Sequence, residues 1–202
     1  TSIAALWRKG VSEGLIGDQL PDPFGNRKVA TPGRRKAPKA LSLSELQAIF
    51  ALPIFTQGDR PARGRGEASY WIPLMLLWTG ARPEEIAQLT LKDIALDTPS
   101  GRWVLPITDE GMHPVKGHQS LKTSRVQAGR RTFPVPSALI DLGLLDYRTW
   151  LDGQGELALF PRLTLKNARR LLYPCFGEWW NLYVYGAGAL PKGEGRRPGR
   201  EF

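Results

Sequence analysis

The sequence predicts an α+β fold, mainly helical, with a small three-stranded antiparallel sheet. Three observations lead there. Apolar residues recur at helical spacing over residues 41–89 and again over 137–185. Between them, residues 94–136 switch to short apolar and β-branched runs broken by Gly and Pro turns. The chain has 202 residues, 42% of them hydrophobic and seven of them Trp. That is enough for one good core, or for one domain plus part of another.

In chain order, Ile3, Leu6, Trp7, Val11 and the pair Leu15-Ile16 mark one amphipathic helix ending near Gly14 or Gly17. One helix cannot bury its apolar face alone, so its partners are expected upstream of Thr1. From Pro21 to Lys39 there are four prolines, two glycines and six basic residues against one acid, Asp22. This is an extended basic linker. Its Arg34, Arg35 and Lys36 either lie along a phosphate backbone or form a solvated tether.

Ser44 is a plausible N-cap for a short helix with Leu46, Ile49 and Phe50 as its stripe. A Gly/Arg/Pro loop follows from Gln57 to Gly66. Tyr70 to Trp78 is apolar throughout and reads as about two turns of buried helix. After Ile94, the turn Thr98-Pro99-Ser100-Gly101 leads into Trp103–Ile107 as a hairpin. Residues 108–119 read as a loop holding both histidines. Leu121–Arg125 and Arg131–Pro136 complete the strands, and their prolines suit sheet edges. Ser137 can cap a helix through Leu142, with Leu144–Leu151 beyond Gly143. Leu159-Phe160-Pro161 reads as a buried turn or short strand. Asn167–Tyr173 and Phe176–Tyr185 read as two helices divided at Pro174. Trp179, Trp180 and Tyr183 could stack on bases, but a stripe at this spacing fits core better.

The formal charge is +9 and the pI near 10, so an anionic partner is expected, with nucleic acid the leading candidate. The single Cys175 excludes an internal disulfide framework and fits a reducing, cytoplasmic compartment. Ile72–Trp78 is far too short to cross a bilayer. Thr1–Leu6 lacks the layout of a signal peptide, and the missing initiator Met suggests a fragment or a processed chain.

The chemistry concentrates in Thr79-Gly80-Ala81-Arg82-Pro83-Glu84-Glu85-Ile86-Ala87-Gln88-Leu89. Gly80 supplies the left-handed backbone that ends a helix, and Pro83 suits the first turn of the next. Glu84 and Glu85 favour the positive end of that helix's dipole. Arg82 is thus fixed at a helix–turn–helix corner. It either holds a phosphate, helped by backbone N–H groups, or pairs with Glu85 at the surface. Residues 112–131 add Lys116, Lys122, Arg125, Arg130 and Arg131 and no acid. Such a run is a solvated edge or a strip facing phosphate.

An apolar helix, then Thr-Gly-x-Arg with Glu85 three residues after Arg82, then Leu89-Thr90-Leu91-Lys92-Asp93-Ile94, resembles the first motif of the tyrosine recombinases, the phage integrase family. Leu121-Lys122-Thr123 followed by Arg131-Thr132-Phe133-Pro134-Val135-Pro136 resembles that family's hairpin. The resemblance covers roughly residues 41–200. It implies the DNA breaking–rejoining fold, with 1–17 as the last helix of a core-binding domain, 18–40 as a linker and 41–202 as a partial catalytic domain. It implies that Arg82 neutralises the phosphorane, that Glu85 supports it, and that Lys122 is the general acid for the leaving 5′ oxygen. Arg125, Arg130 and Arg131 would contact DNA. The reaction would be attack by a tyrosine on a phosphodiester through a 3′-phosphotyrosyl intermediate, with no metal and no other cofactor. The partners would be double-stranded DNA and further protomers in a synaptic tetramer of the full-length protein.

The family's second motif, His-x-x-Arg followed by the nucleophilic tyrosine, is not found in these residues. Residues 1–202 are therefore expected to bind DNA weakly and not to cleave it. The competing reading is a non-catalytic regulatory module on the same scaffold. A metal-dependent nuclease is a poor fit, because Glu84 and Glu85 face differently and His113 and His118 are expected in a loop with no nearby acid.

Overall fold

A computed structural model of the chain describes residues 3–20, 22–24, 40–121, 129–191 and 198. The chain divides into two compact units, Thr1–Ala37 and Pro38–Phe202. In the first, helix α1 (Ile3–Ser12) has no buried residue, and Ile3 and Leu6 are exposed. Gly14 then adopts a φ of 71°, as expected where the helix stops. Trp7 meets Phe24 edge-on at 6.3 Å.

The second unit is α+β with a small antiparallel sheet. Its centre is α4 (Ala68–Thr79), apolar on all sides and buried from Ala68 to Leu76 except at Tyr70. A helix apolar all round must be surrounded. Around it pack α2 (Leu43–Phe50), α3 (Pro53–Thr56), α5 (Pro83–Ala87), α6 (Ser137–Asp141), α7 (Leu144–Gly153) and α8 (Tyr173–Gly186). Trp180 is fully buried, with Phe176 and Tyr183 stacked on it at 5.8 and 6.3 Å. The aromatic stripe is core.

The sheet has the order β1–β2–β5, from β1 (Ala95–Asp97), β2 (Arg102–Ile107) and β5 (Arg131–Pro134). Ala95 pairs with Val104, and Val104 in turn with Pro134. Pro106 lies in the middle strand rather than at an edge. It is tolerated because β1 begins only opposite Val104, so β2 has a neighbour on one side only at Pro106. Pro134 sits on the outer strand. The expected strand at Leu121–Arg125 falls mostly outside the described residues.

Other expectations need correction. Residues 108–119 are not all loop: β3 (Met112–His113) and β4 (Gly117–His118) form a second, two-stranded hairpin. The cap of α2 is Ser42, not Ser44, because Glu45 rather than a later acid closes the capping box: its carboxylate accepts the Ser42 N–H at 2.7 Å. Ser137 is the first residue of α6, not its cap. The helix expected over Asn167–Tyr173 is instead a tight turn at 167–170 closed by Lys166 and Leu171, and Tyr173 opens α8. Pro174 accordingly lies in the first turn of α8, where its missing N–H costs nothing, and divides no pair of helices.

Candidate functional site

The corner at Arg82 is built as its sequence requires. Gly80 ends α4 with a φ of 59°, and its N–H returns to the Leu76 carbonyl at 3.0 Å. Thr79 tightens the exit: its hydroxyl donates to the Met75 carbonyl at 2.6 Å and accepts from the Ala81 N–H at 3.2 Å. Arg82 is the N-cap of α5 in extended backbone, followed by Pro83. Arginine has no acceptor to cap the helix, so the capping comes from one side only. Glu85 reaches back and its Oε2 accepts the Arg82 N–H at 2.9 Å. Ile86, Ala87 and Leu89, each at most 2% exposed, root the helix in the core.

Glu85 is itself only 2% exposed, and a bare carboxylate there would be costly. It is compensated by two arginines. Arg131 on β5 donates Nη2 to Oε2 at 2.7 Å, and Arg82 places Nη1 3.7 Å from Oε1. Arg131 is further braced by the Gly129 carbonyl at 3.1 Å and lies over the Phe133 ring at 5.2 Å. The Arg82 side chain stays 48% exposed. The structure thus gathers Arg82, Glu85 and Arg131 into one cluster. Of the two sequence alternatives for Arg82, the pairing with Glu85 is present at 3.7 Å, with the arginine side chain 48% exposed.

Arg130 points elsewhere. Its Nε contacts Asp109 at 2.7 Å, and its Nη1 pairs with Glu110. Lys122 and Arg125 lie outside the described residues, as do Arg34, Arg35 and Lys36. The flanks of 122–128 are described. A methyl on Gly129 would come within 3.2 Å of the Leu121 side chain, so the two ends of that segment meet.

A second cluster on α5 was not legible as such. Lys116, counted with the basic run, is neither a solvated edge nor a phosphate strip: its side chain is 5% exposed. Its ammonium bonds Glu84 Oε1 and Gln88 Oε1, both at 2.7 Å. Glu84 also accepts the Leu172 and Tyr173 N–H groups, capping the start of α8. Gln88 exchanges both amide bonds with the Ser120 backbone at 3.0 Å. Gln119 continues the chain of bonds to Asp93 at 2.8 Å.

Beside this cluster, His113 is 2% exposed, and its Nδ1 accepts the Val115 and Lys116 N–H groups at 3.2 Å. Burial, then the Lys116 charge, pushes its pKa down to about 4, against a smaller opposing pull from Asp93. An acid is therefore close, though 20 residues away in sequence. His113 is neutral at pH 7 and acts as an acceptor. Among the described residues, no group of His, Cys, Asp and Glu could hold a metal ion, and no helix is long and apolar enough to cross a membrane.

In its chemistry, the Arg82 cluster can take an anion: a guanidinium presented from a helix N-terminus, with a second arginine set behind it by a shared buried carboxylate. Compared with known proteins, the chain matches no family model, no curated protein and no solved structure.

Proposed function

We propose that residues 41–202 are the phosphate-binding part of a DNA strand-exchange domain of the tyrosine recombinase type. The observation that carries this reading is Arg82 at the N-cap of α5, half exposed and backed by buried Glu85, which also pairs with Arg131. Such a device offers charge-assisted donors to a phosphodiester and holds them in place before the substrate arrives. It is supported by the net charge of +9 and by the order of motifs. Lys122 would protonate the leaving 5′ oxygen, and a tyrosine outside these residues would be the nucleophile. The covalent phosphotyrosyl bond conserves the energy of the broken ester, so no nucleotide triphosphate enters.

The sharpest test uses the full-length protein and a nicked suicide DNA substrate. Arg82→Ala and Lys122→Ala should each lower the trapped covalent complex by about 10²–10³-fold. Trapping that is unchanged in the Arg82 variant would rule this assignment out. DNA binding with no strand cleavage by full-length protein would favour the regulatory module instead. Residues 1–202 alone should bind duplex DNA in a salt-dependent way and capture none of it covalently.

A further inference from the structure

We propose that the turn Asn167–Arg170 is a second contact for the DNA backbone, docked against the Arg82 corner through Glu84; this rests on the DNA-binding reading above. The turn is tightly made. Lys166 and Leu171 exchange backbone bonds at 2.8 and 3.2 Å, the Arg170 N–H returns to the Asn167 carbonyl at 3.1 Å, and the Asn167 side chain accepts the Arg169 N–H at 3.0 Å. Within it, Asn167 has a φ of 63° and Arg170 a φ of 50°. Asparagine tolerates that left-handed region, but arginine gains nothing from it, and Gly or Asn would be more stable there. The fold keeps an arginine at a strained, exposed position.

Charge bookkeeping points the same way. Lys166 pairs with Glu178, whereas Arg169 and Arg170, both exposed, form no ion pair among the described residues. A turn that needed only to be soluble would do as well with neutral side chains. The position also matters. Leu172, two residues after Arg170, gives its N–H to Glu84 at 3.1 Å, and Glu84 is two residues after Arg82. Chain reach then bounds the Arg82 and Arg170 backbones to within roughly 22 Å of each other. One DNA strand presents a phosphate about every 3.4 Å of axis, so both arginines lie within the span of one helical turn of duplex. Their relation is fixed, because one carboxylate on α5 ties the turn's exit to the corner.

The test is fluorescence anisotropy of residues 1–202 with a short labelled duplex across a salt series. Each phosphate contact contributes about 0.9 to the slope of log K against log salt. Arg169→Gln/Arg170→Gln should therefore shallow the slope by about 2, and the Arg169→Lys/Arg170→Lys pair should restore most of it, since a point charge suffices. Arg170→Gly separates folding from binding: it should raise the melting temperature by relieving the strained φ and still shallow the slope by about 1. If the double glutamine variant keeps the wild-type slope while Arg82→Gln shallows it, the turn is no contact and the inference is overturned while the function stands. If wild-type binding is absent or independent of salt, both fall.

Discussion

The two polar clusters on α5 differ in one respect that separates support from recognition. At Lys116 every strong group is consumed: the ammonium, Glu84, Gln88 and the ends of three chain segments satisfy one another at 5% exposure of the lysine. At Arg82 the carboxylate is buried and only half hydrogen-bonded. Its Oε2 accepts the Arg82 N–H and Arg131, whereas among the described residues Oε1 has only the Arg82 guanidinium at 3.7 Å, and that guanidinium stays 48% exposed. A five-residue helix has little stability of its own. Here Glu84, Glu85 and Gln88 each fasten it to a different element, and the rigidity so gained is spent on holding one outward-facing arginine. The lysine's charge is closed inside the fold, whereas the arginine's side chain, steadied by Glu85, remains half exposed.

That contrast can be broken by mutation, starting where the effect is largest. Lys116→Met leaves Glu84 half-compensated in a buried setting and should cost about 3 kcal/mol in urea unfolding. Adding Glu84→Gln to it should recover part of that loss; a Lys116→Met protein as stable as wild type would mean that the cluster is not closed.

The next effect is set by pH. His113 has a folded pKa of about 4 against 6.5 when unfolded, so protonation favours the unfolded chain. Its contribution is fully present above pH 6.5 and is lost as pH falls toward 4, worth roughly 3 kcal/mol in all. In His113→Asn the stability profile between those values should flatten, as read by denaturant midpoints at several pH values.

Glu85→Gln comes third. It keeps one acceptor for Arg131 but removes the charge, and should cost about 1–2 kcal/mol in the same unfolding assay. The smallest effect on stability sharpens the comparison most. Arg82→Gln keeps its backbone N–H on Glu85 and should change stability by no more than about 0.5 kcal/mol. Yet in the DNA titration it should shallow the salt slope by about 1. A large stability loss with an unchanged slope would put Arg82 in the same class as Lys116.

Much of the corner was legible in the sequence, for local reasons. Gly80, Pro83 and the first-turn acids speak to backbone geometry within a few residues, and the helix boundaries followed them. The Thr98–Gly101 turn and its hairpin were read the same way. Misreadings arose where a residue's role depended on distant neighbours. Pro174 breaks nothing because the segment before it is a turn held by Glu84, 88 residues away from Leu172. Lys116 looked like part of a basic surface because its acceptors lie 32 and 28 residues upstream. Arg130 and Arg131 are adjacent in the sequence, but the first lies just before β5 and the second opens it, and they meet different acids, Asp109 and Glu110 for one and Glu85 for the other.

The sequence by itself determined that this chain is α+β, basic, and built around an arginine fixed at a helix corner, because periodicity, turn chemistry and net charge are properties of short stretches or of composition. Only the tertiary structure decided which of its charges are spent. Burial and pairing are set by groups brought together from across the chain, and they alone divide Lys116, sealed between Glu84 and Gln88, from Arg82, held by Glu85 and still facing out.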